Sequence, residues 1–89
     1  MYKSTLPDVK GRNYEVVDVV RTFVEADDYC GDVCEMLDNG IKDLEQQAKK
    51  KDADGVIGIT MVSASTKSNT YGKPYPEAIV YGTAIKFTD

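Results

Sequence analysis

The residues whose chemistry is easiest to name in this 89-residue chain are Cys30 and Cys34. They are four positions apart, so a helix would place both thiols on one face, with Asp28 and Asp32 nearby in sequence. Thiolates and carboxylates together suit a soft divalent metal ion, but a closed zinc site takes four ligands. Because the chain has no histidine, we expect neighbouring subunits to complete any such site. Cysteine is also a common small buried residue, and a close pair can form a disulfide, so structural and redox roles remain alternatives.

A second candidate site combines cationic and aromatic side chains. Lys67, Tyr71 and Lys73 fall in one polar segment, where an ammonium group can hold a phosphate and a phenol can stack under a base. Arg21 falls within a predicted strand, and a charge buried there would need a partner such as Asp18 or a bound anion. These residues therefore predict a site for an anionic, nucleotide-like ligand. The alternative is a plain hairpin loop or a clasp between subunits.

Catalysis, duplex nucleic acid and membranes find little support in the sequence. The chain has no histidine for general-base chemistry and no Gly-rich phosphate motif, so we expect a protein that is not an enzyme. Its net charge of −4 and pI near 4.7 disfavour duplex nucleic acid and anionic membrane as partners. No apolar run approaches the roughly 20 residues of a membrane span. Two cysteines make no disulfide framework, which favours a reduced, cytoplasmic setting.

The periodicity of the apolar residues predicts the elements that hold these candidates. Apolar residues at helical spacing predict a helix over 33–51: Val33, Leu37, Ile41, Leu44 and Ala48. Segments rich in β-branched residues predict strands over 14–24, 55–64 and 78–87. We thus predict one domain over 1–89, with an N-terminal arm (1–12) and a hairpin loop (65–76). Its class is α+β, a two-layer β-α-β-β unit with a three-stranded, mainly antiparallel sheet.

The predicted sheet has more apolar surface than one helix can cover. One helix covers one face, and we expect the second face to be apolar at Val16, Val20, Val56, Val62, Val80 and Ala84. An uncovered apolar face of this kind indicates an interface. At 89 residues a single core also gives a marginal monomer. The sequence therefore predicts a homo-oligomer.

Two motifs resemble a known family. The turn and strand Ala-Asp-Gly-Val-Ile-Gly-Ile (53–59) and the segment Tyr-Gly-Thr-Ala-Ile (81–85) are similar to signatures of the YbjQ-like family, as is the opening Asn-Tyr-Glu-Val-Val (13–17). The resemblance covers about residues 11–87 and implies a dodecin-like β-α-β-β fold, a ring-shaped pentamer and heavy-metal binding. This chain departs from the family in its short, acidic connection between the first strand and the helix.

Together these observations predict a non-enzymatic binding protein. We expect a homo-oligomer, a pentamer by the resemblance, that binds a soft metal ion or another small ligand between its subunits. One alternative is a purely structural or protein-interaction oligomer. Another is a protein that sequesters nucleotide-like anions.

Overall fold

One helix packs on a four-stranded sheet in the structure, a computed structural model that describes residues 1–25, 33–68 and 74–89. The elements in chain order are β1 (Tyr2–Lys3), β2 (Tyr14–Glu25), α1 (Val33–Lys50), β3 (Gly55–Ser68) and β4 (Pro74–Phe87). The strand order is β1-β3-β4-β2, with β4 antiparallel to both neighbours and β1 parallel to β3. This confirms the predicted α+β class, while β1 adds a fourth strand.

The structure differs from the prediction in two places, the segment between β3 and β4 and the N-terminal arm. β3 and β4 pair into the segment predicted as a loop, with Lys67 opposite Tyr75 and Ser68 opposite Pro74. The N-terminal arm also joins the sheet, because Tyr2 pairs with Gly55. Polar composition indicated a loop at 65–76, but a ladder of backbone hydrogen bonds needs no apolar side chains.

The helix buries its apolar stripe against the middle of the sheet. Leu44 and Ala48 are fully buried, and Met36 nearly so. A Cβ atom placed on Gly40 would lie 2.6 Å from Val80 Cγ2, so the glycine lets the helix backbone approach β4. Glycine is the residue that permits such a close backbone approach.

The helix ends in a Schellman motif. The Ala53 N–H donates to the Ala48 carbonyl at 3.0 Å, and the Asp52 N–H donates to the Lys49 carbonyl at 3.1 Å. Asp52 takes the left-handed conformation of this motif, with φ of 59°. The chain thereby turns from α1 directly into β3.

The assignment of the sheet faces from sequence was wrong in part. Four of the six residues expected on the uncovered face are buried in the cluster that contains the helix residues: Val20, Val56, Val80 and Ala84. The exposed apolar residues lie on the opposite face. The reason is that both faces are apolar, so alternation alone does not tell which one the helix covers.

Three irregularities change the alternation along the strands. The pairing shifts between Val16 and Asp18 in β2, and at two places in β3, between Ile57 and Thr60 and between Ser63 and Ser65. Gly58 has a φ of +62°, which a side chain rarely adopts, so glycine makes the β3 bulge possible. As a result Ile57 packs with Val9 and Ile85, whereas Ile59 packs with the helix.

Candidate functional site

The sheet face opposite the helix is the main candidate surface, and we call it the helix-free face. The strand register places its residues in three rows across β2, β4 and β3. The rows are Phe23–Ile79–Val62, then Arg21–Tyr81–Thr60, then Val19–Thr83–Ile57. Side chains alternate between faces along a strand, so these rows point away from the helix.

Several large apolar side chains on this face are exposed. Val19 is 60% exposed, Phe23 53% and Val62 48%. Ile79 and Tyr81, on the central strand β4, are 41% and 40% exposed. Apolar side chains on a central strand are normally covered, so this face has the character of an uncovered interface.

Arg21 introduces a positive charge into this apolar surface. It lies in the middle row, directly opposite Tyr81, and its side chain is exposed. Asp18, the partner that the sequence offered, is bound instead by Lys51, whose Nζ is 2.9 Å from Asp18 Oδ2. The Lys51 hydrogen bond and the Val19 N–H lower the pKa of Asp18. Among the described residues no carboxylate forms an ion pair with Arg21, although its charge also helps to lower the pKa of Asp18.

The N-terminal arm covers the other end of the helix-free face. Val9 packs with Ile57 and Ile85, closing a second small core. The Tyr14 hydroxyl donates to Asp8 Oδ1 at 2.6 Å, which lowers the pKa of Asp8 and raises the pKa of Tyr14. These contacts cover the Ile57 end of the third row and leave the first two rows, together with Val19, as the uncovered part of the face.

The chain ends are held together at the same end of the sheet. Arg12 donates to Asp89 Oδ1 at 3.0 Å, which lowers the pKa of the Asp89 carboxyl. The Arg12 guanidinium lies 3.6 Å from the centre of the Phe87 ring, and Tyr2 meets that ring edge-on. A guanidinium on an aromatic face is a favourable contact, so this cluster fixes the arm against β4.

The predicted metal ligands are only partly within the described residues. Cys30, Asp28 and Asp32 lie outside them, while Cys34 is the second residue of α1 and is exposed. Within the described ranges no three His, Cys, Asp or Glu side chains come close enough to hold a metal ion. The described residues of one chain therefore supply one thiol and no complete donor set, so no metal chemistry is assigned to them.

The predicted anion-binding residues are also divided. Tyr71 and Lys73 lie outside the described residues, and Lys67 lies in β3 opposite Tyr75. Arg21 pairs with Tyr81, six residues along β4 from Tyr75. At about 3.3 Å per residue, roughly 20 Å of strand separates the positions of Arg21 and Lys67. The backbone positions of these two residues are therefore far apart within one subunit.

Apart from Val62, the exposed apolar residues of the first two rows were not identified from the sequence. Phe23, Ile79 and Tyr81 were recognised as strand residues but not as the uncovered surface. A signal for the bulge existed in Gly58, since an isolated glycine in a strand often marks one. No comparable feature of the sequence indicates which face of the sheet the helix covers.

Comparison with known proteins places the chain in a family. Residues 1–88 match the YbjQ family, described as "Putative heavy-metal-binding". The chain belongs to this family. The family match extends the resemblance seen at 11–87 into the N-terminal arm. No curated protein shows significant similarity to the sequence.

A solved structure supports the YbjQ fold. The chain is similar to the crystal structure of a protein of unknown function from Pediococcus pentosaceus, assigned to the DUF74 family. The TM-score is 0.75 at 20% sequence identity, covering 99% of this chain and 98% of that chain. At this identity the likeness establishes the fold alone. In the described part of the chain, no helix is long and apolar enough to cross a membrane.

Proposed function

We propose that this protein is a non-enzymatic, homo-oligomeric binding protein that takes up a heavy-metal ion or another small ligand between its subunits. The observation that carries the proposal is the exposed apolar surface of the helix-free face. Five large apolar side chains on it are 40–60% exposed, and a contiguous exposed apolar patch of this kind marks an interaction site. A standard interface buries ~800 Å² per partner, more than half of it apolar, so such a patch suits a subunit contact.

A ring-shaped pentamer in the cytoplasm is the specific form that we propose. The YbjQ resemblance supports the ring. Two cysteines without a disulfide framework support a reduced setting, in which thiols are available to a soft metal ion. Because the sequence has only two cysteines and no histidine, the metal in this proposal is bound by residues from more than one subunit.

Native mass spectrometry of protein purified without a metal-affinity tag tests the proposal. It reports the subunit number and any bound mass together. We expect an oligomer that gains mass when cadmium ions are added, and we expect a Cys30→Ser, Cys34→Ser variant to lose that gain. A monomer at every concentration would refute the proposal, and an oligomer that never gains mass would refute its ligand-binding part.

A charge placed on the helix-free face tests the surface itself. Phe23→Asp introduces a carboxylate into the apolar rows, and we expect it to release monomers. The matched control is Gln46→Asp, which adds the same charge at an exposed position of α1. Equal dissociation of both variants would show that net charge, rather than this face, controls assembly.

The position of Arg21 favours a small anion as a second candidate ligand. Burying its guanidinium between subunits without a counter-charge would be costly, and an oxyanion held by Arg21 beside Tyr81 would remove that cost. Inorganic phosphate is the probe. We expect phosphate to stabilise the wild-type oligomer against dilution more than it stabilises Arg21→Gln. Equal stabilisation would exclude Arg21 as the anion site.

A further inference from the structure

The outer edges of the sheet differ in how well their backbone N–H and C=O groups are covered. An exposed strand edge presents a row of unpaired N–H and C=O groups, and natural proteins usually cover or blunt such edges. This sheet has one outer edge along β2 and one along β3, and β4 extends past the end of β2.

Side chains cover the middle of the β2 edge. Gln47 on α1 reaches over it, donating from Nε2 to the Arg21 carbonyl at 2.8 Å and accepting the Arg21 N–H at 3.4 Å. The Asp18 carboxylate accepts the neighbouring Val19 N–H at 2.8 Å. Two successive outward-facing amides of β2 are therefore already satisfied within the subunit.

Prolines blunt the part of β4 that extends past β2. Since the Arg21 backbone faces outward, the opposite residue Tyr81 turns its N–H towards β3. By alternation along β4, Pro76 and Pro74 have their nitrogens on the other side, beyond the end of β2. Proline has no N–H to donate, so this edge is a poor template for another strand.

The first half of the β3 edge is covered by the N-terminal arm. The Gly58 N–H donates to the Leu6 carbonyl at 2.7 Å, and the Ile59 N–H donates to the Ser4 carbonyl at 3.1 Å. Past Ile59 this cover stops. Of the backbone hydrogen bonds that join described residues outside helices and strand ladders, none reaches the outer edge of β3 beyond Ile59.

The second half of β3 carries a run of outward-facing backbone groups. Thr60 pairs with Tyr81 and so faces β4, which turns the amides of Met61 and Ser63 outward. After the irregularity between Ser63 and Ser65, Thr66 faces outward in the same way. Residues 60–68 contain no proline and one charged residue, Lys67. In the part of the chain that the structure describes, this stretch therefore has neither the prolines of β4 nor a backbone hydrogen bond to the arm.

The same stretch of β3 also forms half of a projecting two-stranded ribbon. β2 ends at Glu25, which pairs with Glu77, whereas β3 and β4 continue to pair as far as Ser68 and Pro74. A ribbon of two strands is marginally stable in water unless another element packs on it. An added strand would stabilise this ribbon and satisfy its outer amides together.

We propose that a main-chain segment of a second copy of this chain pairs with the outer edge of β3 along residues 60–68, continuing the sheet from one subunit into the next. The inference rests on the homo-oligomer of the proposed function and identifies its hydrogen-bonded contact. The second copy is the occupant because the edge adjoins the helix-free face at Thr60 and Val62. Pairing there buries backbone groups beside the apolar surface that assembly already covers.

Proline substitution at outward-facing amides tests this contact. Ser63→Pro removes one outward N–H and leaves the bonds to β4 in place, and Ser63→Ala is the control that keeps the N–H. A dilution series followed by native mass spectrometry and light scattering measures the subunit concentration at half-dissociation. We expect Ser63→Pro to raise it at least tenfold, which corresponds to about 1.4 kcal/mol, and Ser63→Ala to leave it within twofold.

A second pair of variants guards against misfolding. Thr66→Pro removes an outward amide farther along the ribbon, with Thr66→Ala as its control, and far-UV circular dichroism checks that each variant folds. Wild-type dissociation in a folded Ser63→Pro or Thr66→Pro variant would overturn the β3 contact while leaving the oligomer itself intact. A wild-type protein that is monomeric throughout would instead overturn the proposed function and this inference with it.

Discussion

The close approach of Gly40 to Val80 predicts the effect of Gly40→Ala on stability. Two opposing effects are involved, the higher helix propensity of alanine and overpacking against Val80. In an exposed helix, Gly→Ala stabilises by about 1 kcal/mol, because alanine has the higher helix propensity. Here a Cβ on residue 40 would lie 2.6 Å from Val80 Cγ2 and 2.9 Å from Val80 Cβ. Rotation about χ1 moves the Cγ atoms but not the Cβ, so the 2.9 Å contact persists in every rotamer of Val80.

The surroundings of Val80 set the magnitude. Val80 is fully buried and lies on β4, which has a paired strand on each side. Neither the strand nor the helix shifts without disturbing the core, so the cost is at the upper end of the ~1–3 kcal/mol for overpacking. After subtracting the propensity gain, we expect Gly40→Ala to lower the free energy of unfolding by about 2 kcal/mol.

Urea unfolding followed by circular dichroism measures this change, at one fixed subunit concentration because assembly adds to stability. The control is Asn39→Ala at an exposed position of α1, which we expect to stabilise by a few tenths of a kcal/mol. In a Val80→Ala background, Gly40→Ala should cost less, since the Cγ contacts are gone. A stabilised Gly40→Ala variant would refute the reasoning, because the helix would then not approach β4 as closely as described.

Two further predictions concern the ends of the elements. Asp52 has a φ of 59°, and asparagine tolerates this left-handed conformation better than alanine, so Asp52→Ala should lower the free energy of unfolding by ~1 kcal/mol more than Asp52→Asn. Thermal unfolding of both variants measures the difference, and equal melting temperatures would contradict it. Hydrogen bonds lower the pKa values of Asp8, Asp18 and Asp89, so their stabilisation is present above the unfolded-state pKa near 3.8 and lost as pH falls through the folded values. The melting temperature should therefore hold from pH 7 to about pH 4 and fall below it; a decline between pH 7 and pH 5 would contradict this assignment.

The sequence predicts the elements of this fold well because their signals are local. The helical spacing predicted residues 33–51, and the helix is Val33–Lys50. Its last turn carries Lys49 and Lys50, which suit the negative end of the helix dipole. Strand boundaries were predicted less well at 65–76, where β3 and β4 extend through polar residues. Backbone pairing across strands is not a local property, and side-chain composition does not report it.

The assignment of residues to faces required information that the sequence holds only in part. A bulge at Gly58 separates Ile57 from Ile59, although strict alternation places both on one face. The ion pair of Asp18 with Lys51 joins β2 to the residue after the helix, and nothing in the sequence favours it over a pair with Arg21. The predicted site of Arg21, Lys67, Tyr71 and Lys73 stays a prediction, as does the metal site of Cys30 and Cys34.

The helix-free face and the open edge of β3 meet along one border of the sheet. Thr60 and Val62 belong to both, while Phe23 lies on β2, two strands away and about 10 Å across the sheet. Phe23→Asp and Ser63→Pro therefore perturb assembly through different strands and different interactions, one apolar and one between backbones. Because the two positions are about 10 Å or more apart and share no partner, we expect their effects on the free energy of dissociation to add in the double variant. A combined effect clearly smaller than the sum would show that the apolar contact and the backbone pairing depend on each other.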